Sequence, residues 1–127
     1  MMFVILIIQL IPVNRSNPEE THAVVWDSIE TLRLFNNACA DCHSNRTIWP
    51  WYSYIAPFSF VVVGHVNEGR SKFNISDGTL NEAHEAHEAV QEGKMPLKSY
   101  VWLHPEADLN AEDMQKLIDG LKRTFGK

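Results

Sequence analysis

Two cysteines and a histidine that stand close together are the residues of this chain best suited to chemistry. Cys39 and Cys42 are the only cysteines among the 127 residues, and His43 follows directly, which completes a Cys-x-x-Cys-His sequence. This pattern is typical of covalent c-type haem attachment. Two thiols three residues apart on a helical turn can both bond one ring, while the adjacent imidazole ligates the iron. We therefore expect one covalently attached haem c, ligated by His43.

Other chemistries also use a pair of cysteines. A thioredoxin-like redox pair needs a βαβ setting, whereas the flanking sequence is helical in pattern. A zinc site needs further ligands, such as His65 or His84, and no second Cys-x-x-Cys occurs. The loop between the two cysteines is too short to act as a structural staple. Haem is the interpretation that we prefer among these.

The second axial ligand must come from a methionine or histidine further along the chain. The candidates are His65, His84, His87, Met95, His104 and Met114. Electron carriers commonly place methionine opposite histidine. Met95 follows a predicted helix stop and precedes Pro96, which favours an extended segment able to press a thioether onto a ring. We expect Met95 to be the ligand, with simple apolar filling as the alternative.

The remaining candidates have simpler interpretations. Met114 lies in the apolar stripe of a predicted helix and is expected in the core. His84 and His87 lie on a glutamate-rich helix, where a solvated histidine is expected. His65 and His104 stay open as partners in a bis-histidine site.

An aromatic loop follows the motif and contains Trp49, Trp51 and Tyr52. We expect these rings to shield the haem from water and to contact its propionates. The backbone carbonyl of Pro50 or Pro57 is expected to accept a hydrogen bond from the histidine of the motif. Three cations are candidate propionate partners, although each is more often a solvated surface charge: Arg46, Arg70 and Lys98.

The first predicted helix leads into the motif. Asp27 followed by Glu30 has the spacing of a capping box, so the helix should start near Ser28. Apolar residues then recur at steps of three and four residues and define one face. These are Ile29, Leu32, Phe35 and Cys39.

Three further helices are predicted, which makes the fold class all-α. One runs from Phe58 to about Arg70 after a proline, with a short strand as the alternative for its β-branched residues. Another covers 80–92, with Gly93 at the stop position. The last follows a cap at Asn110. Its apolar stripe is formed by Met114, Leu117, Ile118, Leu121 and Phe125.

The first residues of the chain are strongly apolar. Residues 2–13 contain one polar residue, Gln9. A helix of this length covers roughly 18 Å, less than a hydrocarbon core of about 30 Å. We expect residues 1–18 to form a shortened signal-anchor and linker, with a buried hydrophobic arm as the alternative. Residues 19–127 are then the haem-binding domain.

Charge restricts the partners. The chain has a net charge of −5, from 16 acidic and 11 basic residues. Nucleic acid binding requires clustered lysine and arginine, so we exclude it. The expected partner is another redox protein.

Several segments resemble the small haem-binding domains of bacterial membrane-anchored c-type cytochromes. The matching segments are ACADCHSN (38–45), WPWYSYIAPFSF (49–60), HVNEGRSKFN (65–74), EGKMPLKSY (92–100), LHPEADLN (103–110) and IQLIPVNRSNP (8–18). The resemblance covers nearly the whole chain, although the apolar leader is shorter than a full anchor.

The resemblance implies a class-I-like cytochrome c fold of about four helices around one covalent haem. It implies attachment through Cys39 and Cys42, proximal ligation by His43 and distal ligation by Met95. It also implies a position in the periplasm or on the extracytoplasmic face of the membrane. We expect a mono-haem electron carrier and not an enzyme, since no placed acid–base group marks catalysis. The alternative is a gas-binding or sensing module with an open or displaceable distal site.

Overall fold

Seven α-helices follow one another in the computed structural model, which describes residues 1–126. They are α1 (Met2–Ile8), α2 (Ile29–Ala38), α3 (Ala40–His43), α4 (Phe58–Lys72), α5 (Ala86–Gln91), α6 (Lys98–Leu103) and α7 (Ala111–Phe125). Short 3-10 turns occupy Trp51–Tyr54, Ala83–Glu85 and Pro105–Ala107. Residues 1–126 contain no strand, and one isolated β-bridge joins Asn74 to Thr79. The all-α prediction is confirmed, with more and shorter helices than expected.

The start of α2 is where the sequence predicts it, but a different residue caps the helix. The Ser28 hydroxyl accepts a hydrogen bond of 3.1 Å from the Thr31 N–H. The predicted cap at Asp27 is wrong, because the Asp27 carboxylate accepts a 2.7 Å bond from Arg123 Nε. Asp27 therefore joins the start of α2 to the end of α7.

The middle helices confirm one prediction and correct another. Helix α4 starts at Phe58 as predicted, so its β-branched residues form no strand. The helix predicted over 80–92 is shorter, since a 3-10 turn precedes α5 and no side-chain cap starts either element. Gly93 ends this region with φ +74°, the left-handed conformation expected at a helix stop.

Helix α7 packs against α2 and α5 to form the core. Asn110 caps it as predicted and accepts a 2.7 Å bond from the Asp113 N–H. Leu117 and Leu121 of the predicted stripe are fully buried against Leu34 and Phe35 of α2. This packing provides the support on which the motif-bearing end of α2 rests.

The N-terminal segment runs along the loop that follows the motif. Gln9 accepts a 2.9 Å bond from the Ala56 N–H and donates a 3.0 Å bond to the Ala56 carbonyl. Arg15 donates to the Ser53 carbonyl at 3.0 Å. Among residues 1–126, no helix has the length and apolar character needed to cross a membrane. The anchor role of residues 1–18 stays a prediction.

Candidate cofactor site

The Cys-x-x-Cys-His sequence is helical, as its run-in predicts. Helix α2 ends at Ala38, Cys39 turns the chain, and α3 carries the rest of the motif. Cys39 and Cys42 are both free thiols and half-buried. Burial raises the pKa of the Cys39 thiol to about 12 and that of the Cys42 thiol to about 11. Before any covalent attachment, both side chains are therefore neutral thiols near pH 7.

His43 is buried and held in one orientation. Its ring stacks on Phe73 with 3.9 Å between centroids and 4° between planes. Its Nδ1 lies 3.0 Å from the Phe73 carbonyl oxygen, so a protonated Nδ1 donates there and leaves the Nε2 lone pair available. The expectation that Pro50 or Pro57 supplies this carbonyl is wrong. Burial lowers the pKa of His43, which favours the neutral imidazole that a metal requires.

A buried polar network fixes the segment that carries Phe73. The Asn74 side chain donates to Asn45 Oδ1 at 2.7 Å, and the Asn45 N–H donates to Ser76 Oγ at 2.9 Å. The Ile75 N–H donates to the His43 carbonyl at 3.0 Å. Since buried polar groups of this kind are costly to leave unpaired, the network holds the carbonyl partner of the histidine in place.

A cavity of about 400 Å³ opens beside the motif. Cys39, Cys42 and His43 line one side, and Met95 lines it from the segment after α5. Helices α4 and α5 contribute seven of the 17 other lining residues. Met95 is thus brought beside the motif, although it lies 52 positions after His43 in the sequence.

The other ligand candidates separate clearly in space. His65 of α4 also lines the cavity and stays an alternative ligand. His104 lies outside the lining; its ring stacks on Tyr100 at 4.0 Å and its Nδ1 lies 2.9 Å from the Tyr100 carbonyl. His84 is half-exposed, whereas the His87 side chain is only 13% exposed, so the prediction of a solvated His87 is wrong.

The aromatic loop does not line the cavity. Trp49, Trp51 and Tyr52 lie outside its wall, and Trp51 is 74% exposed. Trp51 and Tyr52 make an edge contact with 5.7 Å between their centroids. Their position gives no support to the expectation that they shield the ring.

The cations of the cavity are also different from those that the sequence suggested. Arg70 donates to the Ser44 carbonyl at 2.8 Å and to the Ser16 carbonyl at 2.9 Å. Its guanidinium therefore joins the N-terminal segment to the residue after the motif. Arg46, Arg70 and Lys98 lie outside the lining. Lys72 and Lys94 line the cavity instead.

Gly69 lets α4 approach the motif directly. A Cβ built on Gly69 would lie 2.5 Å from the Cys42 carbonyl oxygen and 2.8 Å from the Cys42 Cβ, distances that real contacts essentially never show. The sequence signal for this contact is a glycine in the interior of a helix, which otherwise lowers helix stability.

Gly69→Ala is therefore expected to lower the free energy of unfolding by about 1–3 kcal/mol, because α3 and α4 must move apart. Gly64 lies on the same helix with no atom within 4 Å of a built Cβ. The control Gly64→Ala should stabilise the chain by roughly 0.5–1 kcal/mol through helix propensity. Urea denaturation of both variants measures the difference, and equal effects would contradict the close packing.

A second contact joins α6, which contributes Tyr100 to the cavity wall, to the motif. The Tyr100 hydroxyl of α6 donates a 2.6 Å bond to Oδ2 of Asp41, between the two cysteines. Oδ1 of the same carboxylate accepts from the Ile48 N–H at 2.9 Å. Burial, together with Asp41, raises the pKa of Tyr100 well above its ordinary value. Tyr100 stays protonated and holds α6 beside α3.

Tyr100→Phe is expected to cost about 1–2 kcal/mol of unfolding free energy, since it removes a hydrogen bond to a carboxylate that stays partly buried. Tyr54→Phe is the matched control, because Tyr54 is an exposed ring and its change should stay within about 0.5 kcal/mol. Thermal unfolding of the two variants tests the contact. An unchanged Tyr100→Phe variant would contradict it.

Comparison with known proteins adds one finding. The family model described as a haem-binding domain matches residues 3–123. No curated protein and no solved structure gives a significant match. Among residues 1–126, no group of three or more His, Cys, Asp and Glu side chains is arranged to hold a metal ion.

Proposed function

The chain belongs to the haem-binding domain family, and we propose that it is a mono-haem c-type cytochrome that transfers electrons. The observation that carries the proposal is the meeting of Cys39, Cys42, His43 and Met95 at one cavity. A single thiol pair beside one imidazole fits one covalently held haem.

The chemistry of the cavity suits a haem. Its volume of about 400 Å³ lies within the range of cofactor and ligand pockets. Apolar side chains from α2, α5, α7 and the residue before α6 contribute to the wall: Phe35, Ala38, Val90, Leu121 and Leu97. When bound, haem iron supplies one-electron exchange between Fe(III) and Fe(II).

Six of the lining residues have distinct tasks in this proposal. Cys39 and Cys42 would hold the ring through two thioether bonds. His43 presents a neutral imidazole whose Nδ1–H donates to the Phe73 carbonyl, which raises its strength as a donor. Met95 supplies a thioether, a ligand that raises the reduction potential. Lys72 and Lys94 are the cations available to the propionates.

The proposal includes a location. Covalent haem attachment normally takes place outside the cytoplasmic membrane, so we place the domain in the periplasm or on the extracytoplasmic face. Residues 1–18 would associate it with the membrane. Its partners are redox proteins, and it has no enzymatic role of its own.

Gas binding is the alternative, and His65 in the cavity favours it, because a distal histidine can donate to a bound diatomic ligand. The intact haem protein distinguishes the two functions. The reduced protein should leave carbon monoxide unbound if Met95 fills the sixth position. Ready binding of carbon monoxide, seen as a shift of the Soret band, would overturn the electron-carrier proposal.

A further inference from the structure

Acidic residues are distributed very unevenly along the chain. All 16 aspartates and glutamates fall outside residues 1–18 and 42–67. The only charged side chains within those two segments are the cations Arg15 and Arg46. Neither segment therefore carries a side chain that lipid phosphates would repel.

The same two segments expose large apolar side chains. In the loop and the start of α4, a patch of five such residues faces solvent, which we call the aromatic patch. It consists of Trp51, Tyr54, Ile55, Phe58 and Val61. Trp51 is 74% exposed and Phe58 is 60% exposed. Each of residues 2–7 of the N-terminal segment is also at least half exposed. Apolar side chains exposed together in this way mark an interaction surface.

Hydrogen bonds place the two exposed segments side by side. Gln9, directly after α1, makes two bonds to the backbone of Ala56, which lies between Ile55 and Phe58 of the aromatic patch. Arg15 donates to the Ser53 carbonyl and lies over the Tyr54 ring, 4.2 Å from its centroid. The end of α1 and the aromatic patch thus belong to one continuous surface.

The composition of this surface favours a lipid surface as its partner. Helix α1 has no polar face, and a helix apolar on all sides belongs in an apolar environment. Tryptophan and tyrosine beside an arginine are the residues that concentrate at the boundary between lipid and water. A protein partner of this acidic chain would be expected to carry complementary cations, yet the patch has no acidic residue to meet them.

We propose that the aromatic patch rests in the headgroup region of a membrane, with Trp51 and Phe58 inserted beside the N-terminal apolar segment. The proposal deepens the membrane association proposed above and rests on it. The domain is then held against the bilayer by two adjacent apolar surfaces, which together fix its orientation.

Sedimentation with vesicles of phosphatidylethanolamine and phosphatidylglycerol tests the proposal on the full haem-loaded chain. The double variant Trp51→Ser, Phe58→Ser should lower the partition coefficient roughly tenfold, because two inserted rings are lost. The matched control is Trp102→Ser, Leu103→Ser, which removes two exposed apolar residues from α6 and should bind as the original chain does. The conservative variant Trp51→Phe should retain binding.

Three outcomes would overturn the proposal. The first is equal partitioning of the patch variant and the original chain. The second is an equal loss in the α6 control, which would show non-specific hydrophobicity. The third is a lipid-free dimer, detected by sedimentation velocity, that the patch variant abolishes, since the partner would then be a second copy. The haem spectrum is recorded separately, so failure here is distinguishable from failure of the cytochrome proposal.

Discussion

Alanine at both Cys39 and Cys42 is expected to free the haem from the polypeptide in acid–acetone, whereas the original chain should keep its colour in the protein pellet. The reason is that these are the only two cysteines, so no other thioether can form. The effect is complete in principle, because a covalent link is either present or absent. The absorbance of the pellet and of the extract measures it directly.

Controls for this experiment come from the motif itself. Each single alanine variant keeps one sulfur and should keep the haem attached through one bond. The double serine variant keeps nearly the volume of the thiols and should still release the haem, which separates the loss of sulfur from the opening of a void. Circular dichroism should show helical spectra for every variant. Release of haem from the original chain on extraction would refute covalent attachment.

The elements with strong local signals could be predicted from the sequence. The start of α2 and the cap at Asn110 follow from short polar side chains placed before apolar periodic runs. The glycine stop at Gly93 and the helix after Pro57 follow from backbone preferences of the same local kind. The proximity of Met95 to the motif was predicted from a loop context, and the structure places both at one cavity.

The remaining site features depend on tertiary contacts that have no local signature. Any residue can offer a backbone carbonyl, so the sequence could not single out Phe73 as the partner of His43. The sequence instead suggested the carbonyl of Pro50 or Pro57, and that prediction is wrong. The sequence also could not predict that Trp51 is exposed, because an aromatic residue is equally suited to a core and to an interface.

Met95→Ala is expected to remove the weak far-red band of the ferric protein that arises from methionine coordination, with the haem still attached. Met95 is the methionine that lines the cavity with His43, so under the proposed ligation its loss would open the sixth position. The reduction potential should fall, within the roughly 0.8 V over which axial ligands set haem potentials. The reduced variant should also gain carbon monoxide binding.

Two control variants make this result specific to Met95. Met114 is partly buried against the hydrophobic core but lies outside the cavity. Met114→Ala should therefore lower the free energy of unfolding by roughly 2 kcal/mol and still keep the far-red band. His65→Ala removes the competing ligand and should also keep the band. An unchanged spectrum in Met95→Ala together with an altered one in His65→Ala would instead assign bis-histidine ligation. Because both residues line one cavity, the comparison of these two variants decides which side chain the iron selects.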